Sequence, residues 1–555
     1  MANIVEDLPP HTVADVPGRA ALPSAVPNEE PAQTVRRPYQ PPVRLDILLL
    51  VVIVLLGCGL RLLWIRSPLL DAHRWRQTDT AAIARNLYEG RFNVFYPLVD
   101  WGGRNGYVES EFPLVPALAA GLYEVFGPLD YLGRLVAMVF STATIVALFF
   151  LGTELLGAAG GLAAAFLLAV SPAAVFFGRT FMPDSPMLFC WVAGVLAFVR
   201  YFRTGSHRAL WLGGGAMAVA CLIKVPAVLM VAPIAGAAWQ ARGRAALRDR
   251  ALWLALIVPG LVTVAWYAHA FLLYRQTGIT FGILVHPART YPLDIAPGPW
   301  KYAFSKWSSL ALLMRGDFYL TLLSRLYEIL LLPWGFVGAL FGAVIWKRDE
   351  GRLVADAWFA ALAAFVLLMG EAHIGHEYYQ LPVVPLGALY FGAFARPVFA
   401  QRETTQGRST GLGSRAVLAG LLIVIGGTGF YYSGIINSHF RPNNLDVRVL
   451  QAGQAVERVT SGDGLMVVVD DYGATSPLLL YFAHRKGWSF DVEDVHPQVV
   501  DGLKRRGARY FVSTVWSRIE RERPETADYL RLYRQLELRD APRDTVVFEI
   551  GGHTE

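Results

Sequence analysis

Residues Ile47–Trp64 read I-L-L-L-V-V-I-V-L-L-G-C-G-L-R-L-L-W, and Asp71–Arg85 read D-A-H-R-W-R-Q-T-D-T-A-A-I-A-R. The first stretch is apolar and close to the roughly 20 residues that cross about 30 Å of hydrocarbon. The second places two carboxylates, a histidine, a tryptophan and three arginines directly behind it. Comparable apolar runs recur at residues 112–127, 133–151, 154–178, 183–199, 209–240, 251–273, 330–345, 353–369, 381–395 and 414–434.

Of 555 residues, 54% are hydrophobic and 17% charged, with a mean hydropathy of +0.39. That balance excludes an ordinary soluble chain and predicts a polytopic α-helical membrane protein. Residues 1–43 are Pro-rich and polar, without the charged tip and early apolar core of a secretory signal, and are expected to be a disordered cytoplasmic leader. Cys58, Cys190 and Cys221 all fall within apolar runs, which excludes a disulfide framework and a thiolate metal site.

The net charge of +6 does not point to nucleic acid. Its arginines and lysines gather in short connections, at 200–208, 242–250, 347–352 and 396–415. Basic residues between spans mark cytoplasmic loops. Segments 66–111, 275–318, 371–380 and 435–555 then fall on the opposite, periplasmic face. The 209–240 run is expected to be a hairpin broken at Lys224-Val-Pro226. An exterior C-terminal region demands an odd number of passes, and about thirteen are expected. The expected organisation is a membrane domain over 44–435 with periplasmic loops 66–111 and 275–318, followed by a periplasmic α/β domain over 436–555. In the latter, Leu465–Val469, Ala508–Thr514 and Asp544–Ile550 read as strands, and Ser476–His484 and Pro497–Arg506 as short helices.

The polar insertions carry the chemistry. Thr78–Glu89 reads as an amphipathic helix at the membrane interface, with Asp79 near its positive N-terminal end; an ordinary charged loop is the alternative. Carboxylates bounded by arginines supply a base for an attacking hydroxyl or amine and cations for a phosphate leaving group. In Arg179-Thr-Phe-Met-Pro-Asp184-Ser-Pro186, Asp184 is a functional carboxylate or a helix cap, and both roles are compatible. Lys224 contacts a donor phosphate or snorkels to lipid. Glu371–Pro382 gathers His373, His376, Glu377, Tyr378, Tyr379 and Gln380; a divalent ion is one reading and interfacial belt residues the other. The long connection 275–318, with His286, is expected to fold over an exterior cavity.

These residues resemble the GT-C superfamily of polyprenyl-phosphate-sugar glycosyltransferases, in particular the bacterial relatives of the protein O-mannosyltransferases and the lipid A aminoarabinose transferase. Thr78–Arg85 is similar to the family's interfacial helix, Val108-Glu-Ser-Glu-Phe-Pro-Leu114 to its second motif, and Arg179–Pro186 to its third. The resemblance implies a GT-C fold and inverting transfer of one sugar from an undecaprenyl-phosphate-like donor to lipid A, a glycolipid, a polysaccharide or a protein. The first-motif carboxylate is the implied base. The family's adjacent acidic pair is replaced here by Arg76-Gln77, so Asp79 is favoured and Asp71 competes with it, with Glu109 or Glu111 in support.

Arg74, Arg76, Lys224 and Arg179 are the implied phosphate ligands. Acceptor or sugar contacts are expected from His73, Tyr107, His286, His376, Tyr378, Tyr379 and Gln380. The resemblance requires no nucleotide-sugar site and leaves cofactors open: some members of the family bind a divalent metal and others work without one, and here Asp184, Glu109 and His376 would be its ligands. The expected setting is a monomer in the bacterial inner membrane, with its N-terminus cytoplasmic and membrane lipids around it. Two readings compete: a transporter or flippase for a lipid-linked saccharide, which predicts midplane charges and repeated halves, and transfer of an oligosaccharide from a pyrophosphate carrier.

Overall fold

The computed structural model describes residues 44–284, 308–347, 351–400 and 444–551. The leader, the run 414–434 and most of the 275–318 connection, including His286, lie outside the described residues. The first helices are α1 (Arg44–Leu62), α2 (Arg74–Glu89), α3 (Leu114–Phe126), α4 (Asp130–Leu156), α5 (Ala158–Val170), α6 (Pro172–Phe177), α7 (Asp184–Thr204), α8 (His207–Ile223), α9 (Val231–Arg242) and α10 (Arg250–Thr277). Further helices follow over Gly316–Arg325, Pro333–Ile345, Leu353–Leu368 and Val383–Ala400.

The protein is a polytopic helical membrane protein, but among the described residues fewer helices than expected are long and apolar enough to span. Among the described residues α4, α7 and α10 are long and apolar enough to cross a membrane, and a fourth crossing results if Gly316–Leu330 and Pro333–Ile345, bent by 107°, form one broken span. The expectation of about thirteen spans is corrected accordingly. Its error has a physical source: hydropathy runs straight through Gly and Pro, whereas the helix does not. The run 154–178 is divided at Gly157 and again at Ser171-Pro172, leaving α5 with 13 residues, about 20 Å of helix. The expected break at Lys224 is present: Lys224 is extended, and the 3₁₀ turn Val225–Met230 precedes α9.

Buried polar groups close these interruptions. Arg61, fully enclosed, donates from Nε to Ser141 at 2.7 Å and from its Nη atoms to the carbonyls of Gly57, Ala169 and Ala174 at 2.9–3.1 Å. One guanidinium thereby satisfies carbonyls on both sides of the α5–α6 break, which hydrocarbon could not do. The membrane core packs around stacked Trp191 and Trp358. On α10, Leu254, Ile257, Val258, Leu261 and Val264 point outward, as lipid requires.

The C-terminal α/β part holds helix Asn444–Val459 and strands β1 (Leu465–Val469), β2 (Gly487–Phe490), β3 (Ala508–Ser513), β4 (Arg534–Gln535) and β5 (Val546–Glu549), in sheet order β2-β1-β3-β5-β4. β1 pairs in parallel with β2 and β3, and β5 is antiparallel to β3 and β4. The three strands read from the sequence are present; β2 and β4, short and interrupted by polar residues, are not legible there. Every residue of β1 is buried. Leu465, Val467 and Val469 join one apolar cluster within the α/β part. Met466 and Val468 join another that also contains Leu69, Ile83 and Leu87. The sheet therefore packs on the segment containing α2 as well as on its own helices, and the apolar core is shared between the membrane part and the α/β part.

Close helix packing provides a test. A Cβ on Gly342 would meet the Tyr390 carbonyl oxygen at 1.7 Å, a backbone obstacle that no rotamer relieves. Gly342→Ala is expected to separate helices Pro333–Ile345 and Val383–Ala400 and lower stability by roughly 1–3 kcal/mol. A melting temperature equal to wild type would contradict this packing.

Candidate active site

Helix α2 begins at Arg74, four residues before the expected start, after His73 in a left-handed conformation (φ 58°). Arg76–Leu87 are all buried, so α2 is an internal helix rather than an amphipathic one on the surface. Asp79 consequently lies in the second turn, beyond the reach of the N-terminal dipole. What holds α2 is the carboxylate of Asp71. It accepts from Arg179 at 2.7 Å, Arg134 at 3.2 Å and Gln77 Nε2 at 2.5 Å. Arg134 also donates to the carbonyls of Trp64, Ser67 and Pro68. Asp71 and Arg179 are therefore engaged with one another, fully buried, and neither borders the cavity described next.

A cavity of about 260 Å³ opens beside α2, bordered by Arg76 and Asp79, by Glu111, by Asp184 and Lys224, by Thr280–Ile283, and by His376, Tyr378 and Tyr379. Two ion pairs line it: Arg76–Glu111 and Lys224–Asp184, each at 2.5 Å. The Arg76 guanidinium also covers the Phe281 ring at 4.6 Å, and Lys224 Nζ lies 4.2 Å from the centre of Tyr378 and 4.9 Å from that of Tyr379. The second oxygen of Asp184 has no hydrogen-bond partner among the described residues.

Asp79 differs from the other cavity carboxylates. Among the described residues no cation sits within ion-pair distance of it; it accepts a hydrogen bond from Trp101 Nε1 at 2.9 Å. Burial pushes its carboxyl up to about 8, against the Trp101 N–H and the Arg76 charge, while Asp100 adds to the rise. Glu111 is half-buried, and Arg76 and Lys224 outweigh the desolvation and hold it below the usual carboxylate range. The cavity thus sets a proton-accepting carboxylate beside two paired cations.

The remaining expected residues divide. His376, Tyr378 and Tyr379 border the cavity, with the His376 and Tyr378 rings stacked 5.1 Å apart. Glu109 faces away: Thr280 and the Leu284 N–H donate to it, so it clamps segment 279–284 rather than the cavity, and burial raises its carboxyl. Arg74 reaches the α/β part, where it pairs with Asp446. His73 pairs with Glu377 at 2.9 Å; although burial opposes that charge, the His73 contact brings Glu377 down to about 2. Gln380 bonds the His373 carbonyl, and Tyr107 packs on Tyr96; neither borders the cavity.

The suggested metal set is not assembled. Among the described residues no group of three His, Cys, Asp or Glu side chains could hold an ion, and Glu109 is already committed elsewhere. Trp101, Phe281 and Thr475 also border the cavity and are not singled out by the sequence. Trp101 carries the one local signal, an indole donor between Asp100 and Gly102-Gly103 in a polar connection. Phe281 lies just past α10 without distinguishing neighbours, and nothing near Thr475 in the chain ties it to Asp79.

Residues 110–268 match the family model described as dolichyl-phosphate-mannose-protein mannosyltransferase. No curated protein gives a significant match. Among solved structures, ArnT from Cupriavidus metallidurans bound to undecaprenyl phosphate aligns with a TM-score of 0.56 at 15% identity, over 90% of this chain and 97% of that one. AglB, the oligosaccharyltransferase from Archaeoglobus fulgidus, in complex with an inhibitory peptide and a dolichol-phosphate, gives 0.55 at 12% identity over 92% and 76%. Arabinofuranosyltransferase AftD from Mycobacteria gives 0.55 at 14% identity, over 92% of this chain and 40% of that one. The chain has the GT-C fold that its motifs resemble.

The two aspartates should respond oppositely to neutralisation. Asp71→Ala strands Arg134 and Arg179 and is expected to cost about 3 kcal/mol or more. Asp79 holds its proton more tightly folded than unfolded, so its ionisation removes stability as pH rises from the ordinary aspartate range towards about 8. Asp79→Asn, which keeps the shape, should therefore gain in melting temperature relative to wild type over that range. Melting curves against pH check both.

Proposed function

We propose that the protein is a glycosyltransferase that moves one sugar from a polyprenyl-phosphate carrier to a cell-envelope acceptor, at the exterior face of a bacterial inner membrane. The observation that carries this reading is the cavity's combination of Asp79, a buried carboxylate with no cationic partner among the described residues, with Arg76 and Lys224. The polyprenyl carrier is supported by the likeness to structures bound to undecaprenyl phosphate and dolichol-phosphate.

The orientation follows from α7 and α8. α7 leaves the cavity at Asp184 and, after 21 residues, or about 31 Å, reaches the basic connection containing Arg200, Arg203 and Arg208. α8 returns to the cavity at Lys224. With the basic connection cytoplasmic, the cavity opens at the exterior, where a lipid-borne sugar meets an envelope acceptor. Its charges lie at helix ends or on α2, which is not a span; a transporter would instead hold them near the midplane.

In the reaction, the acceptor oxygen attacks the anomeric carbon from the side opposite the phosphate. The new carbon–oxygen bond forms as the carbon–oxygen bond to phosphate breaks, and configuration inverts. The electron pair stays on the polyprenyl phosphate, whose charge Arg76 and Lys224 stabilise as they exchange Glu111 and Asp184 for phosphate oxygens. The acceptor proton passes to Asp79. Trp101 fixes the Asp79 carboxylate, and the Tyr378–Tyr379 pair holds Lys224 by cation–π contact.

Purified protein supplied with polyprenyl-phosphate monosaccharides and cell-envelope acceptors should yield a product heavier by one sugar. Asp79→Asn should lower kcat roughly 100- to 10,000-fold while donor binding persists. The unprotonated carboxylate is the base, so the wild-type rate should climb with pH and level off above about 8. Full turnover by Asp79→Asn would remove the assignment.

A further inference from the structure

Among the described residues, Thr475 is the one side chain of the α/β part that borders the cavity, and its backbone is unusual. It sits at φ 66°, a left-handed conformation that a β-branched residue adopts only when its surroundings impose it. Those surroundings are visible. The buried Asp470, just beyond β1, accepts from the N–H groups of Tyr472 and Gly473 at 2.9 and 3.1 Å, and Asp491, just beyond β2, accepts from Ala474 N–H at 3.2 Å. Gly473 also has a positive φ of 72°, and a Cβ there would run into the Asp491 carboxylate, so glycine suits this position in the turn.

Tyr472 donates to Asp446, and Arg74 at the start of α2 pairs with the same carboxylate. The turn that presents Thr475 is thereby fastened to the helix that carries Arg76 and Asp79. The sheet adds to this. β1 lies between its parallel neighbours β2 and β3, so the chain reverses direction across the sheet at the carboxyl end of β1, the place at which open α/β sheets take ligands.

The cavity's charges limit what can meet Thr475. Arg76 and Lys224 are paired with Glu111 and Asp184 and, on the proposed function, serve the donor phosphate. Apart from His376, no third basic side chain borders the cavity among the described residues. Among the described residues, a phosphorylated acceptor would face Asp79, Glu111 and Asp184 without a cation of its own. We propose that Thr475 is a positioning residue for the acceptor: its hydroxyl hydrogen-bonds an uncharged, hydroxyl-bearing acceptor group in the cavity and orients it for attack. This rests on the glycosyltransferase reading of the same cavity.

The test uses the full chain in lipid nanodiscs, a polyprenyl-phosphate hexose as donor, and a methyl hexoside and a hexose 6-phosphate as acceptor probes. Thr475→Val keeps the β-branch and the backbone strain but removes the hydroxyl. It should raise KM for the methyl hexoside about tenfold, with donor KM unchanged, and Thr475→Ser should restore it. In Thr475→Cys, the methyl hexoside should slow maleimide labelling and the 6-phosphate should not. The proposal is overturned if Thr475→Val alters donor KM alone or nothing, if Thr475→Ser does not rescue, or if the methyl hexoside gives no protection. Absence of donor consumption by wild type would instead count against the glycosyltransferase reading, and the labelling arm would still decide the role of Thr475 in binding.

Discussion

The Asp71 carboxylate, shared by Arg134 and Arg179, joins the segment before α2 to α4 and to the link between α6 and α7, three stretches that lie far apart in the chain. A buried carboxylate between two guanidiniums is stable only while all three charges stay in register, since loss of one leaves a charge in a medium that cannot solvate it. Arg134 extends the constraint to the carbonyls of the 64–68 turn. Helix α2 starts immediately beyond, so the positions of Arg76 and Asp79 follow from this node.

The acidic residues near α2 show how environment assigns roles to one functional group. Asp71 is saturated by arginines, Glu109 is clamped by Thr280 and a backbone N–H, and Glu111 and Asp184 each hold a cation. Asp79 alone among these is buried against an indole N–H with no ion pair among the described residues. Burial without a counter-charge raises a carboxyl, whereas a close cation opposes the rise. The same contrast separates structural carboxylates from the one suited to accept a proton near neutral pH.

The α/β part belongs to the site as well as to the fold. Strand β1, paired on either side with β2 and β3, is buried on both faces, one against the α/β part's own helices and the other against the segment containing α2. That shared core brings the turn after β1 to the cavity and explains why β1 reads as an unbroken hydrophobic run rather than an alternating one.

Much of the architecture is legible in the chain. Long apolar runs and the basic connections between them establish a membrane protein, because hydrocarbon tolerates few other arrangements. Leu465–Val469 and Ala508–Ser513 are recognisable as strands from their β-branched and aromatic content. The helix breaks are less legible, since Gly157 and Pro172 do not interrupt a hydropathy profile although they divide a helix. The order of residues also supplies the groups available near the first span: Asp71, Asp79, Glu109, Glu111 and the arginines around them. Which of them pair is a property of the folded chain. The partners of Asp71 stand 63 and 108 positions away, and Thr475 comes to the Asp79 cavity from the α/β part near the other end of the sequence. The charge state and purpose of a buried carboxylate depend on the cations and donors within a few ångströms of it, and proximity in space is set by packing, not by spacing along the backbone.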